Sequence, residues 1–169
     1  MQRDELKAAQ TPLKQRYEAD PEAALVTLTA GGSLGEGISC SVNTGRVLAD
    51  AGLHPASGGD GSLLCSGDML LEALVACAGV TMRAVATSLG ISIRSGQVRA
   101  EGDLDFRGTL GVDRDVPVGF RAIRLVVEVD SDAEDEQLAT LTKLTERYCV
   151  VYQTLVGGSS LSTQVVTVK

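Results

Sequence analysis

Four cysteines (Cys40, Cys65, Cys77, Cys149) and one histidine (His54) are the residues best suited to chemistry in this chain of 169. Cys77 lies within SGDMLLEALVACAGVTMRAVATSL, Ser66–Leu89, where Glu72 is the only charge between Met69 and Val80. A thiol in such apolar company is either inert core packing or, if something favours its thiolate, a sheltered nucleophile. Cys149 follows a helical stretch in a hinge-like or exposed setting. Cys40 falls on an alternating apolar segment and reads as core, and Cys65 reads as a loop spectator within possible reach of Cys77. His54, beside Pro55, reads as a loop residue, and Asp68 reads first as a helix cap. The cysteines form no C-x-x-C pair and no set of four ligands has zinc-site spacing, so neither a metal nor another cofactor is expected. No Lys-Ser/Thr follows Gly58, Gly59 and Gly61, which removes a phosphate-binding loop.

These residues must be held by the surrounding elements. The Ala-, Leu- and Met-rich run over Ser66–Leu89 predicts a long helix. Ser66 or Asp68 should cap its start and Gly90 its end. A helix apolar on nearly all sides should be buried. Its uninterrupted apolar run reads as too short for a membrane span, with Arg83 breaking its continuation. Upstream, an amphipathic helix is expected over Arg3–Tyr17 and a strand over Ala23–Ala30, with Gly31-Gly32 as a turn. Strands are expected over Gly37–Asn43 and from Arg46, and then a long loop over Asp50–Gly67. Beyond the central helix come strands within Ile91–Phe106, where Gly96 and Gly102 suggest bulges, and within Gly119–Asp130. Ser131 and Glu134 have capping-box spacing ahead of a helix over Glu134–Arg147, and Leu161–Val168 alternates as a closing strand. Strands grouped before and after helices predict an α+β fold, with a largely antiparallel sheet around the buried central helix. One domain over 1–169 is expected, with 1–20 as a helical extension. One sheet covers only one face of such a helix, so a second copy should cover the rest, as a homodimer.

Hydrophobic content of 44% with 22% charged residues fits a globular protein. A net charge of −7 without clustered Lys and Arg argues against a nucleic-acid surface. The charged start MQRDELKAAQ has no secretory h-region, so a cytoplasmic protein with no membrane partner is expected.

Two motifs carry a family resemblance. Met69–Arg83 (MLLEALVACAGVTMR), preceded by Gly58-Gly59-Asp60-Gly61, resembles the central helix of the OsmC/Ohr family. Tyr148–Leu155 (YCVVYQTL) resembles the segment carrying the family's second cysteine. The resemblance runs from about Ala23 to Lys169. It implies an intertwined homodimer with a thiol-peroxidase centre, in which Cys77 attacks the O–O bond of an organic or lipid hydroperoxide. Cys149 then resolves the sulfenic acid, and an external dithiol resets the pair. Three positions differ from the family's hydroperoxide reductases. Ser33 stands where an Arg follows Gly-Gly, Gly67 where a supporting Glu lies ten residues before the first cysteine, and Val150 where a Pro follows the second. Other OsmC-like relatives carry their acid nine residues before the cysteine, the position of Asp68, so the resemblance implies Asp68 as a candidate catalytic acid beside Cys77 and Cys149.

Helix geometry restricts which groups can activate Cys77. Nine residues at about 100° each put Asp68 about 180° away around the axis, and Glu72 is about 140° away. An activating group should come from a loop or a partner subunit, and Arg46 is the candidate cation. The rival functions are a small-molecule binding protein of the same fold with idle cysteines, and a redox sensor.

Overall fold

The computed structural model describes residues 48–111 and 113–167, the strand backbones over 31–34 and 39–43, and short pieces of the first nineteen residues. The expected strand at 23–30, most of the expected helix over 3–17, and Arg46 lie outside the described residues. The fold is α+β.

A four-stranded sheet runs in the order β1 (Gly31–Leu34), β2 (Ser39–Asn43), β3 (Leu48–Gly52), β4 (Leu64–Cys65). The first three are antiparallel neighbours and β4 joins β3 in parallel. Gly31-Gly32 does not turn the chain as expected: both residues are paired within β1, opposite Asn43 and Val42. A single 3₁₀ turn, Pro55–Ser57, divides the expected long loop. His54 caps that turn by accepting from the Ala56 N–H at 3.0 Å, and its ring stacks on Phe106 at 5.1 Å.

The central helix, α1, spans Ser66–Leu89, and Gly90 ends it with φ 73° as the left-handed cap. Its N-cap is Cys65, with no side-chain capping bond, so neither Ser66 nor Asp68 caps it. Both lie inside the helix, at its first and third positions, past the cap position that Cys65 takes. An antiparallel ribbon follows, β5 (Ser95–Asp103) and β6 (Ala122–Asp130), joined by a connection containing the short helix α2 (Phe106–Thr109). Its register is unbroken from Ser95↔Asp130 to Asp103↔Ala122, so the expected bulges are absent. Gly96 and Gly102 are there for close approach instead. A Cβ at Gly102 would meet the Phe120 ring at 2.4 Å, and one at Gly96 would meet the Glu128 carbonyl at 2.7 Å.

The chain closes with α3 (Asp135–Tyr148) and α4 (Val150–Gly157), which meet at Cys149. The capping residues sit three positions later than Ser131-x-x-Glu134 implied. The Glu134 N–H donates to Gln137 Oε1 at 3.0 Å, while the Ser131 hydroxyl ties the Ser92 carbonyl at 2.7 Å. Residues 158–167 have no regular structure, in place of the expected closing strand. A strand needs a neighbour for its backbone groups, and no described strand pairs with this segment, where Leu161 is 94% and Val165 91% exposed.

The core lies along one stripe of α1. Leu74, Ala78, Met82 and Ala86, each four residues on from the last, are its buried positions. They pack against the inner face of β5–β6 and against Leu141 of α3. The expectation of burial on all sides is not met within one chain, because ribbon and helices cover a single face and Val80 on another is 72% exposed. The expectation that α1 is too short for a membrane also fails. Its best 18-residue window has a mean hydropathy of 1.7, sufficient by length and composition. Its packed stripe, however, is that of a core helix. Leu141 is 1% exposed. Leu141→Ala should therefore cost about 2–5 kcal/mol by emptying a packed site, read as a lower midpoint in urea-induced unfolding.

Candidate active site

The kink between α3 and α4 sets the site. Cys149 is at once the C-terminal cap of α3 and the N-terminal cap of α4, with φ −75° and ψ 108°. Its N–H donates to the Thr145 carbonyl, and its carbonyl accepts from the Gln153 N–H, both at 2.9 Å. A second tie crosses the kink: Gln153 Nε2 donates to the Glu146 carbonyl at 2.9 Å. Cys149 is 1% exposed, so its setting is hinge-like as expected but buried rather than open. It packs with Leu74 and Ala78 of α1, and Cys77 and Val151 lie against the same cluster.

Cys77 and Cys149 are thereby brought together in one cluster, both as free thiols, and each is among the groups that shift the other's ionisation. Burial pushes the Cys77 thiol up, but four donors outweigh it: the Val151 N–H, the Cys149 thiol, the Thr81 hydroxyl and the Val150 N–H. The net effect holds Cys77 below the ordinary value for a thiol. Cys149 moves the opposite way. Burial pushes it up, and the neighbouring Cys77 sulfur adds to that, against the Tyr152 and Val151 N–H groups. A pair of like groups pushed apart in this way divides the roles: of the two, Cys77 gives up its proton more readily. Because a lowered value means thiolate at lower pH, alkylation of Cys77 by iodoacetamide should level off at a lower pH than alkylation of Cys149. Mass spectrometry of the two peptides across a pH series checks this.

The other candidates fall elsewhere. Asp68 is exposed on the first turn of α1. With Glu72 and Leu71 it lines a cleft of about 460 Å³ facing Val98–Ala100 of β5. Neither carboxylate is among the groups acting on Cys77. The Cys65 sulfur lies near Gly67, 3.5 Å from where a Cβ there would sit, and Phe120 is as close. The Cys40 backbone pairs with Ala51 in the β2–β3 register, one strand from β4. Arg46 is not described. Among the described residues no group of three or more metal-ligating side chains converges. What residue reading missed is the donor set of Val150, Val151 and Thr81. The backbone donors carry no side-chain signature. The available clue was a helix-forming run, VVYQTLVG, starting straight after Cys149 with no Ser, Thr, Asp or Asn to cap it.

The sequence matches the family described as OsmC-like protein over residues 59–164, the span from the loop before α1 through α4 and beyond. No curated protein sequence matches the chain. Among solved structures, an OsmC-like protein from Mycoplasma pneumoniae superposes with a TM-score of 0.67 at 19% identity, covering 79% of this chain and 89% of that one. An organic hydroperoxide resistance protein OsmC from Legionella pneumophila gives 0.62 at 19% identity, covering 79% and 92%. The organic hydroperoxide resistance protein OhrB of Bacillus subtilis gives 0.55 at 18% identity, covering 80% and 94%. At these identities the structures speak for the fold alone. The family match covers well over half of the sequence and takes in both cysteine-bearing segments, and on it the chain belongs to the OsmC-like family.

Proposed function

We propose that the chain is a cysteine-based peroxidase that reduces organic hydroperoxides. The observation that carries this reading is the contact between two free thiols whose ionisation is pushed in opposite directions. The Cys77 thiolate attacks one oxygen of the O–O bond. That bond breaks, the alcohol leaves with a proton, and Cys77 becomes a sulfenic acid. The Cys149 sulfur then attacks the sulfenic sulfur, a disulfide forms, and water departs. An external dithiol reduces the disulfide by exchange and is itself oxidised. The apolar neighbours of the pair, Leu74, Ala78 and Val151, favour an organic chain on the peroxide over a small polar one.

The reading places the protein in the cytoplasm as a homodimer, with the second copy covering the exposed side of α1 around Val80 and the apolar segment at Leu161–Val166. One equivalent of cumene hydroperoxide should remove two thiols per chain, and dithiothreitol should sustain turnover. Loss of thiols without turnover would turn the reading into a redox sensor. No loss at all would leave a binding protein.

A further inference from the structure

The usual expectation for a reactive thiol is a neighbouring cation, yet among the described residues no Lys or Arg acts on Cys77. The sulfur sits instead at the amino end of α4. That helix is eight residues long and begins without a side-chain capping bond. Its first N–H groups have no carbonyl four residues back to bond. Cys77 packs in one cluster with Cys149, the cap residue of α4, and with Val151, and the Val150 and Val151 N–H groups favour its thiolate. The helix dipole adds positive character at the same point.

The opposite side of the sulfur is served from α1. Thr81 is one turn on from Cys77, on the same face. Thr87, Thr142, Thr145 and Thr154 each return their hydroxyl to the carbonyl four residues earlier, at 2.8–2.9 Å. No such return bond is found for Thr81, and its hydroxyl is instead among the groups that favour the Cys77 thiolate.

We propose that the amino end of α4, through the Val150 and Val151 N–H groups, together with the Thr81 hydroxyl, forms the site that holds the charge on Cys77 during its reaction. Val150 and Val151 act through backbone groups that touch the reacting sulfur. Gln153, tied to Glu146 across the kink, is a positioning residue that keeps α4 aimed at it. The inference rests on Cys77 being the reacting thiol, and its test reads thiol ionisation rather than hydroperoxide turnover, so the two can fail separately.

The backbone permits a clean subtraction. Val150 is the first residue of α4, where proline is favoured because its missing N–H belongs to no helical bond. Cys149 before it is already extended, as a residue preceding proline must be. The Val150 side chain is 69% exposed. Val150→Pro therefore removes one donor with little else disturbed, and Val150→Ala serves as the reference that keeps the N–H. The measurement is the pH at which Cys77 alkylation is half-maximal. It should lie about one unit higher in Val150→Pro than in Val150→Ala, the scale of one hydrogen bond to a charged group. Thr81→Val should raise it as well, and Thr81→Ser should restore it. Should Val150→Pro lose its thermal unfolding transition, the Thr81 pair decides alone. An unshifted midpoint in every folded variant overturns the proposal, as does a shift found in Arg46→Ala but in none of these.

Discussion

Cys77→Ser removes hydroperoxide reduction altogether, with turnover falling by roughly three orders of magnitude or more, to the rate of the peroxide with free dithiol. The size of the effect follows from what the site supplies. The Val150 N–H and the Thr81 hydroxyl act on this sulfur, and the Val151 N–H is shared between it and Cys149. A serine hydroxyl in the same position stays protonated at neutral pH and cannot open an O–O bond. Folding should be little changed, because Cys77 is only partly buried and serine is close in size. The check is steady-state reduction of cumene hydroperoxide, with the unfolding midpoint measured beside it. Turnover at the parent rate would assign the chemistry to another thiol, with Cys65 the nearest in sequence.

Cys149→Ser has a different signature. The first step needs only Cys77, so one equivalent of hydroperoxide is still consumed rapidly. The sulfenic acid then has no neighbouring thiol to condense with and persists, or is driven on to sulfinic acid by excess peroxide. The expected result is one turnover per chain followed by a loss of more than tenfold in the steady rate, with dimedone trapping the sulfenic acid on Cys77. The variant also loses some stability, because Cys149 is 1% exposed among Leu74 and Ala78 and a hydroxyl there must find a partner. An undiminished steady rate would remove Cys149 from the cycle.

Much of this arrangement was legible from residues. The limits of α1 followed from its helix formers and from Gly90, since a left-handed cap has few alternatives to glycine. β6 followed from its alternation, and Cys77 and Cys149, singled out by the two motifs around them, lie in one cluster. Asp68 stayed a candidate although helical spacing set it about 180° from Cys77, and the fold places it in a cleft with Glu72. Other features were illegible for identifiable reasons. The pairing of β1 through Gly31-Gly32 was hidden because two glycines read as a turn wherever they stand. Leu161–Val166 alternates as a strand should, but alternation cannot say whether a neighbouring strand is there to pair with it, and none of the described strands does. The activation of Cys77 was hidden most deeply. A search for side chains looks for Arg or Glu, whereas the donors at Val150 and Val151 are backbone groups that any residue but proline presents.

The central claim is that Cys77 and Cys149 act as one redox pair. It is tested most directly by peptide mapping of protein treated with one equivalent of cumene hydroperoxide and then alkylated under denaturing conditions. The account predicts a single new species, the disulfide-linked peptides containing Cys77 and Cys149, that disappears on adding dithiothreitol. Both cysteines recovered as alkylated thiols, or Cys77 linked to Cys65 while Cys149 remains free, would contradict it.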